Sequence, residues 1–286
     1  MFSARRCTVT GMQNEQHRNE GALIPLPRQF SRALVIAAHP DDAEFSFGAT
    51  VSRLVAEGTH VTYVVCTDGS QGSEDRDLPA ERLTATRYEE QRAAAARLGV
   101  ADVVLLGFRD GSLTPDPALR RALTRQIRLH APELVLAHQP LRSLDFPIGA
   151  SHPDHLAAGE ATLAAVYPDA RNPRAYPELL AAGLEPHVVD EVWLPGHEHT
   201  DLLVDVGGHA RRKIEAILCH RSQFAGSADP EAGLAWVTDR MRAGGRAAGC
   251  AYAESFKRLV TGAHAAPGPR PVPGAGAPAV AGGGRP

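Results

Sequence analysis

The sequence contains no uninterrupted apolar stretch of the length needed to span a bilayer, which takes about 20 residues. Near the N-terminus, Arg5 and Arg6 are followed by polar residues, whereas a secretory signal would continue with an apolar segment. These two absences argue against a membrane-spanning protein and against an exported one. We therefore expect a cytoplasmic protein.

Cysteine is scarce, and the four cysteines form neither a C-x-x-C pair nor a dense disulfide pattern. This usage fits a reducing compartment. The net charge is also small, at −3 for 286 residues, so no overall field attracts the chain to nucleic acid or to anionic lipid. We expect neither of these partners, and any specificity must come from a local site.

The middle of the chain has the apolar content of a globular core, and the two ends do not. Residues 1–30 are polar and lack periodicity, and residues 263–286 consist almost entirely of Pro, Gly and Ala. Such segments bury too little apolar surface to offset the entropy of ordering them. We predict one domain over residues 31–262, between a flexible N-terminal extension and a disordered C-terminal tail.

Strand and helix patterns alternate in the first half of this domain. Short apolar runs predict strands at 33–38, 60–66, 103–106 and 134–137, and longer periodic segments predict helices at 43–57, 80–98 and 117–130. Strands separated by helices imply right-handed crossovers and a parallel sheet. The predicted fold is α/β, a single Rossmann-like domain with a mostly parallel sheet flanked by helices and an active site at the carboxyl ends of the strands.

A histidine and two carboxylates occupy the turn after the first predicted strand, in the motif His39-Pro40-Asp41-Asp42. Zinc binds both donor types, and a catalytic zinc site uses three protein ligands and leaves one position open. The motif could therefore supply part of a metal site. Alternatively, Asp41 or Asp42 only caps the helix that begins near residue 43.

A related motif, His152-Pro153-Asp154-His155, begins another predicted helix. Pro153 suits the first turn, and His152 and His155 are three residues apart, so both can face the same edge of the sheet. The alternative is a pair of surface histidines beside a helix cap. Two His-Pro-Asp tripeptides at loop-to-helix junctions on one predicted edge favour a metal site.

These paired motifs resemble the LmbE-like or PIG-L deacetylase family, and the resemblance covers roughly residues 33–224. It implies a zinc-dependent hydrolase that removes the acetyl group of an N-acetylglucosamine-type sugar conjugate, with one zinc ion per chain. Matching positions imply metal ligands at His39, Asp42 and His155 and a general base at Asp41. They also imply that His152 faces the developing oxyanion, and that Arg87 and Asp110 bind the sugar.

The reaction explains why these residue types occur together. Zinc lowers the pKa of a bound water to about 7 and polarises the amide carbonyl. Asp41 can take the proton from that water and deliver it to the leaving amine, and protonated His152 can stabilise the oxyanion. We expect Asp154 to orient His152 and raise its pKa, although an acidic residue is favourable in a first helical turn in any case.

Several alternatives stay open. Residues 144–151 contain no tyrosine, where a mycothiol-type deacetylase is expected to have one. A phosphoesterase would also use clustered His and Asp, but it commonly needs ligands for two metals. The protein could also be an amidase for another acyl-amide glycoconjugate, or a carbohydrate-binding protein that retains the fold. Asp41, which the metal does not need as a ligand, favours an enzyme.

His138 ends the fourth predicted strand and could line the cleft. We expect instead a histidine whose ring nitrogens form hydrogen bonds with neighbouring groups.

Overall fold

A seven-stranded sheet lies between two layers of helices in the computed structural model, which describes residues 28–100, 102–144, 148–195 and 200–262. Most of the predicted extension and all of the predicted tail lie outside the described residues, so these boundaries stay predictions. At the N-terminal boundary, Phe30 is buried, and its ring meets Trp193 edge to face with centroids 5.6 Å apart.

The strands and helices alternate as far as the fourth helix, and β5 and β6 are short. The strands are β1 (Arg32–Ala37), β2 (His60–Thr67), β3 (Asp102–Phe108), β4 (Leu134–Ala137), β5 (Glu191–Pro195), β6 (Leu202–Asp205) and β7 (Ala253–Val260). The α-helices are α1 (Asp42–Ala56), α2 (Ala80–Leu98), α3 (Pro117–His130), α4 (Pro153–Ala164), α5 (Pro177–Ala181), α6 (Ala210–Ile217) and α7 (Ala235–Ala248).

The strand order is β3-β2-β1-β4-β5-β7-β6. Strands β1 to β5 pair in parallel, and β7 pairs antiparallel with both β5 and β6. This arrangement confirms the predicted α/β fold with a mostly parallel sheet. The chain moves outward from β1 to β3 and then returns to β4 on the other side of β1. The strand order therefore reverses between β1 and β4, where a ligand crevice is expected at the carboxyl ends.

Both faces of the sheet are covered. On one face the core contains Phe47, Leu98 and Ile217, from α1, α2 and α6. On the other face it contains Leu123 and Ala158, from α3 and α4. Burial on both faces explains why the central parallel strands are almost continuously apolar rather than alternating.

Two glycines help to place the functional loops. Gly99 caps the C-terminus of α2 with φ 84°, a left-handed conformation that glycine adopts at little cost. Gly159 lies within α4 against the backbone after β4, and a Cβ at this position would lie 2.5 Å from the carbonyl oxygen of His138. The missing side chain therefore lets α4 approach the end of β4 closely.

Candidate active site

The first motif forms the turn between β1 and α1, and a hydrogen bond within the motif stabilises this turn. Asp42 begins α1, and its Oδ2 accepts the backbone N–H of His39 at 2.7 Å. Asp41 is the N-cap residue by position, but its side chain accepts no capping hydrogen bond. Helix capping therefore does not explain why position 41 has a carboxylate side chain.

Asp42 connects the two motifs. Its Oδ1 lies 3.0 Å from Nε2 of His155, and its Oδ2 lies 3.1 Å from Nδ1 of His39. Burial alone would raise the pKa of Asp42, but the facing histidines His155, His138 and His39 lower it well below its ordinary value. The structure thus brings the three predicted ligands together around a buried, ionised carboxylate.

Nitrogen and oxygen donors other than the three predicted ligands lie in the same cluster. Within the described part of the chain, three overlapping groups have donor atoms that lie within 4.8 Å of one another: His39 with His152 and His155, Asp42 with His138 and His155, and His39 with Asp110 and Asp154. Imidazole and carboxylate donors suit zinc and other divalent transition metals. The donor set therefore fits a metal centre.

His138 is a neighbour of the centre that the motifs did not include. Its Nε2 accepts the N–H of Ala38 at 3.0 Å and lies 3.3 Å from Oδ2 of Asp42. Its ring stacks on that of His155, with centroids 4.3 Å apart. Burial, and then the neighbouring His155, lower the pKa of His138 to about 4. The signal in the sequence is its position directly after β4, where the strand order reverses.

His152 is the N-cap residue of α4, and a backbone N–H rather than a carboxylate orients its ring. Its Nδ1 accepts the N–H of Asp154 at 3.2 Å, so the neutral ring carries its proton on Nε2. The ring packs edge to face on His39, with centroids 4.8 Å apart. Burial, followed by the nearby His39 and His155, lowers the pKa of His152. The rise in pKa that we expected from Asp154 is outweighed.

The Asp154 carboxylate faces the loop after β3 and His39. It accepts the N–H groups of Gly111 at 2.7 Å and of Leu113 at 3.1 Å, and its Oδ2 lies 3.2 Å from Nε2 of His39. The expected hydrogen-bonded orientation of His152 therefore comes from the backbone of Asp154. Its side chain instead ties the loop after β3 to His39.

Arg87, from α2, is buried at 3% exposure beneath the first motif. It donates to the carbonyls of Gly69 at 2.9 Å and Pro40 at 2.6 Å, and its Nη2 lies 3.3 Å from Oδ2 of Asp41. Burial, and then the neighbouring Asp42, raise the pKa of Asp41 to about 6, against the opposing effect of Arg87. Arg87 thus holds the turn and one oxygen of the Asp41 carboxylate.

Asp110 completes the predicted set on the side of β3. Its Oδ1 lies 3.2 Å from Nε2 of His39, and its Oδ2 accepts the N–H of Gln71 at 2.9 Å. Burial would raise the pKa of Asp110, and the hydrogen bonds from His39 and Gln71 lower it overall. All eight predicted site residues therefore lie around one cluster at the carboxyl edge of the sheet.

A cavity of about 670 Å³ adjoins this cluster. Asp42, His138 and His155 line it, together with residues of α7. Its apolar lining includes Phe45, Trp236, Val237 and Met241. The volume is in the range of small-molecule sites, and it is far larger than an acetyl group requires.

Comparison with known proteins decides the family. The model of the PIG-L family, described as GlcNAc-PI de-N-acetylase, matches residues 34–166, which include both His-Pro-Asp motifs. The diacetylchitobiose deacetylase of Thermococcus kodakarensis is 32% identical over 193 residues, which cover 68% of this chain and 70% of that protein. The chain belongs to the PIG-L family.

Two further relatives within the PIG-L family show how the likeness extends. The 1D-myo-inositol 2-acetamido-2-deoxy-alpha-D-glucopyranoside deacetylase of Mycobacteroides abscessus is 28% identical over 238 residues, which cover 69% of this chain and 83% of that protein. The solved N,N'-diacetylchitobiose deacetylase of Pyrococcus horikoshii superposes with a TM-score of 0.74 at 29% identity and covers 81% of this chain and 84% of that chain. The likeness therefore extends beyond the motif region to most of the domain.

None of the helices in the described ranges combines the length and the apolar character that crossing a bilayer requires.

Proposed function

We propose that this PIG-L family protein is a zinc-dependent hydrolase that removes the N-acetyl group of an N-acetylglucosamine-type sugar conjugate. The observation that carries the proposal is the position of Asp42 between His39 and His155, with a second, half-buried carboxylate, Asp41, beside it. Relatives named as deacetylases of N-acetylated sugars support the reaction and the substrate class.

His39, Asp42 and His155 are the proposed ligands of one zinc ion per chain. Two imidazoles and one carboxylate form a donor set found in catalytic zinc sites, and the low pKa of Asp42 keeps its carboxylate ionised for a cation. A bound zinc would supply Lewis-acid polarisation of the amide carbonyl and would lower the pKa of a water. The remaining steps are assigned to side chains of this chain.

Asp41 is the proposed general base. Its carboxylate is half-buried, is not used for helix capping, and has one oxygen near Arg87. It can take the proton of the attacking water and then deliver that proton to the amine as the amide bond breaks. A protein that only binds sugar and metal would have no use for this group.

His152 is the proposed hydrogen-bond donor to the oxyanion of the tetrahedral intermediate. Because Nδ1 accepts the N–H of Asp154, the proton of the neutral ring is on Nε2. The lowered pKa of His152 therefore leaves it able to donate without becoming an imidazolium. The proposed mechanism thus uses a neutral donor where the sequence predicted a charged one, and Asp154 contributes through its backbone.

Arg87 and Asp110 are the proposed sugar contacts. A carboxylate has about four lone-pair sites, so Asp110 can accept from a sugar hydroxyl while it keeps its bonds to His39 and Gln71. Arg87 has five N–H donors, of which two contact the turn at Pro40 and Asp41 and one contacts the carbonyl of Gly69 after β2. The cavity beside Asp42 and His155 is the proposed place for the remainder of the conjugate.

The compartment that we propose is the cytoplasm. Cys66, Cys219 and Cys250 are free thiols, which fits the reducing environment inferred from their spacing in the sequence.

The deciding experiment measures acetate release from a panel of conjugates that includes diacetylchitobiose, N-acetylglucosaminyl inositol and N-acetylglucosaminyl malate. The purified protein is tested as isolated, after removal of metal by a chelator, and after zinc is restored. We expect release of acetate from at least one conjugate, lost with the metal and regained with zinc. A preparation that contains zinc but releases acetate from none of them, or that hydrolyses a phosphate ester instead, would contradict the proposal.

A further inference from the structure

The backbone of Asp41 has a conformation that L-residues rarely adopt, with φ 110° and ψ −28°. Its carbonyl oxygen accepts the N–H groups of Glu44 at 3.0 Å and of Phe45 at 3.1 Å, and these bonds begin α1. Asp41 therefore connects the end of β1 to the start of α1 in this left-handed conformation. Contacts from other residues are needed to stabilise the conformation.

A glutamine from α2 stabilises this conformation through a hydrogen bond. Oε1 of Gln91 accepts the backbone N–H of Asp41 at 2.9 Å. Nε2 of Gln91 donates to Oε1 of Glu44 at 2.9 Å, and Oε2 of Glu44 lies 3.1 Å from Nε2 of His220. Gln91, Glu44 and His220 are all 0% exposed. The N–H of Asp41 thus lies at one end of a buried chain of hydrogen bonds.

The partners leave only one orientation for the Gln91 amide. A backbone N–H can only donate, and an ionised carboxylate can only accept. A reversed amide would place its NH₂ against the N–H of Asp41 and its oxygen against the Glu44 carboxylate. Glu44 therefore fixes which atom Gln91 presents to Asp41.

We propose that Gln91 is a positioning residue for Asp41, which it holds in the left-handed turn that places the carboxylate beside the metal ligands. The inference rests on the proposed role of Asp41 as general base. Arg87 does not duplicate this function, because it contacts the carbonyl of Pro40 and the Asp41 carboxylate rather than the Asp41 N–H. Without an acceptor, this N–H would be unsatisfied, and the turn would relax toward an ordinary backbone conformation.

The test is a double-mutant cycle with zinc-loaded protein. Gln91→Met keeps the length of the side chain and removes the acceptor. Misplacement by about 1 Å can reduce turnover on the order of 100-fold, so we expect a loss of up to that size in kcat, with KM and zinc content close to wild type. In an Asp41→Asn background the same change should cause little further loss, because the group that it positions is already inactive.

A buried glutamine away from the site provides the control. Gln126 lies in α3, is buried, and has an Oε1 without a hydrogen-bond partner among the described residues. Gln126→Met should leave kcat and zinc content unchanged in both backgrounds. An equal effect of Gln91→Met and Gln126→Met would show a general consequence of altering a buried amide and would overturn the proposal.

A second pair of variants keeps the test decisive if Gln91→Met does not fold. Gln91→Glu alone places two carboxylates together and should be poorly active. Combined with Glu44→Gln, it restores the chain with donors and acceptors exchanged. The carboxylate at position 91 then accepts from the Asp41 N–H and from the amide at position 44, and the oxygen of that amide faces His220. We expect this double variant to recover most of kcat and to bind zinc. Recovery no better than in Gln91→Glu alone would contradict the proposal.

The outcomes separate this inference from the proposed function. If Asp41→Asn reduces turnover and Gln91→Met does not, or reduces it equally in both backgrounds, only the role of Gln91 is wrong. If Asp41→Asn retains full turnover, the assignment of the base is wrong, and the positioning role is overturned with it.

Discussion

Asp42 and His155 are in direct contact, with Oδ1 of one 3.0 Å from Nε2 of the other. Because Asp42 also contacts His39, we expect His39→Ala, Asp42→Ala and His155→Ala each to lower bound zinc substantially, since each removes one of three proposed ligands. Metal content is measured by elemental analysis of the purified variants.

The control for the ligand variants is His60→Ala. His60 is an exposed histidine at the start of β2 that pairs with Asp102 at 2.9 Å, away from the cluster. It should keep its zinc. A tetrahedral site with three protein ligands predicts about one zinc per chain for the wild type. If the three ligand variants retain this amount of zinc, the assignment of the ligands is wrong.

Asp41→Asn should retain zinc and lose turnover. The substitution preserves size but removes the proton acceptor, so kcat should fall by roughly 10²–10⁴-fold, as is typical of general acid–base catalysis. Steady-state kinetics and metal analysis on one preparation provide the measurement. Loss of zinc would instead make Asp41 a ligand, and its role would have to be exchanged with that of Asp42.

His152→Ala should also retain zinc, and its kcat should fall by about 10²–10³-fold, the usual cost of losing one oxyanion donor. His152→Gln, which can still donate from its amide, should recover part of that loss. Because His152 has donor atoms within 4.8 Å of those of His39 and His155, metal analysis is essential. A variant that loses zinc would show that His152 is a ligand rather than a donor.

Local patterns were sufficient to predict the first half of the fold. The bounds predicted for β1, β2, β4 and the first three helices agree with the structure to within one or two residues, because each element has its own apolar run or helical period. Strands β5, β6 and β7 were not predicted. Their order β5-β7-β6 depends on pairing between segments distant in the chain, as between Leu202 and Phe256, which no local pattern encodes.

The same distinction applies to the site. The motif residues were expected to meet because the loops after parallel strands gather at one edge, and the structure brings them together there. The contacts of His138 and Gln91 were not foreseen, and the side chain of Asp154 faces His39 rather than His152. These contacts depend on how side chains from α2, α4 and the end of β4 orient toward one another, and motif spacing does not specify that.

Lys213 and Glu254 form a buried ion pair, with Nζ 2.6 Å from Oε1, and Lys213 also donates to the carbonyl of Phe45. Lys213→Met should destabilise the protein by about 3–5 kcal/mol, because it leaves the Glu254 carboxylate buried without its partner. Urea denaturation measures the free energy of unfolding. The matched control is Lys257→Met, which removes an exposed pair with Asp201 and should cost less than about 1 kcal/mol. Equal costs would contradict this account.

Trp236 is 54% exposed, and its ring lies parallel to that of Phe45 with centroids 6.0 Å apart, in the wall of the cavity beside Asp42 and His155. If the cavity receives the part of the conjugate beyond the acetylated sugar, an apolar or aromatic group there should contact this ring. Trp236→Ala should then raise KM for aryl glycosides of N-acetylglucosamine by about 2- to 10-fold, the range that corresponds to 0.5–1.5 kcal/mol of ring stacking. It should leave kcat unchanged, and KM for free N-acetylglucosamine should also stay the same, because in this proposal the acetylated sugar binds beside the metal ligands and only the aglycone contacts Trp236. Tyr167→Ala, which removes an exposed aromatic ring from outside the cavity lining, serves as the control and should change neither constant.

An equal rise in KM for both substrates in Trp236→Ala would mean that the ring contacts the acetylated sugar itself, and the cavity would then not be the site of the aglycone.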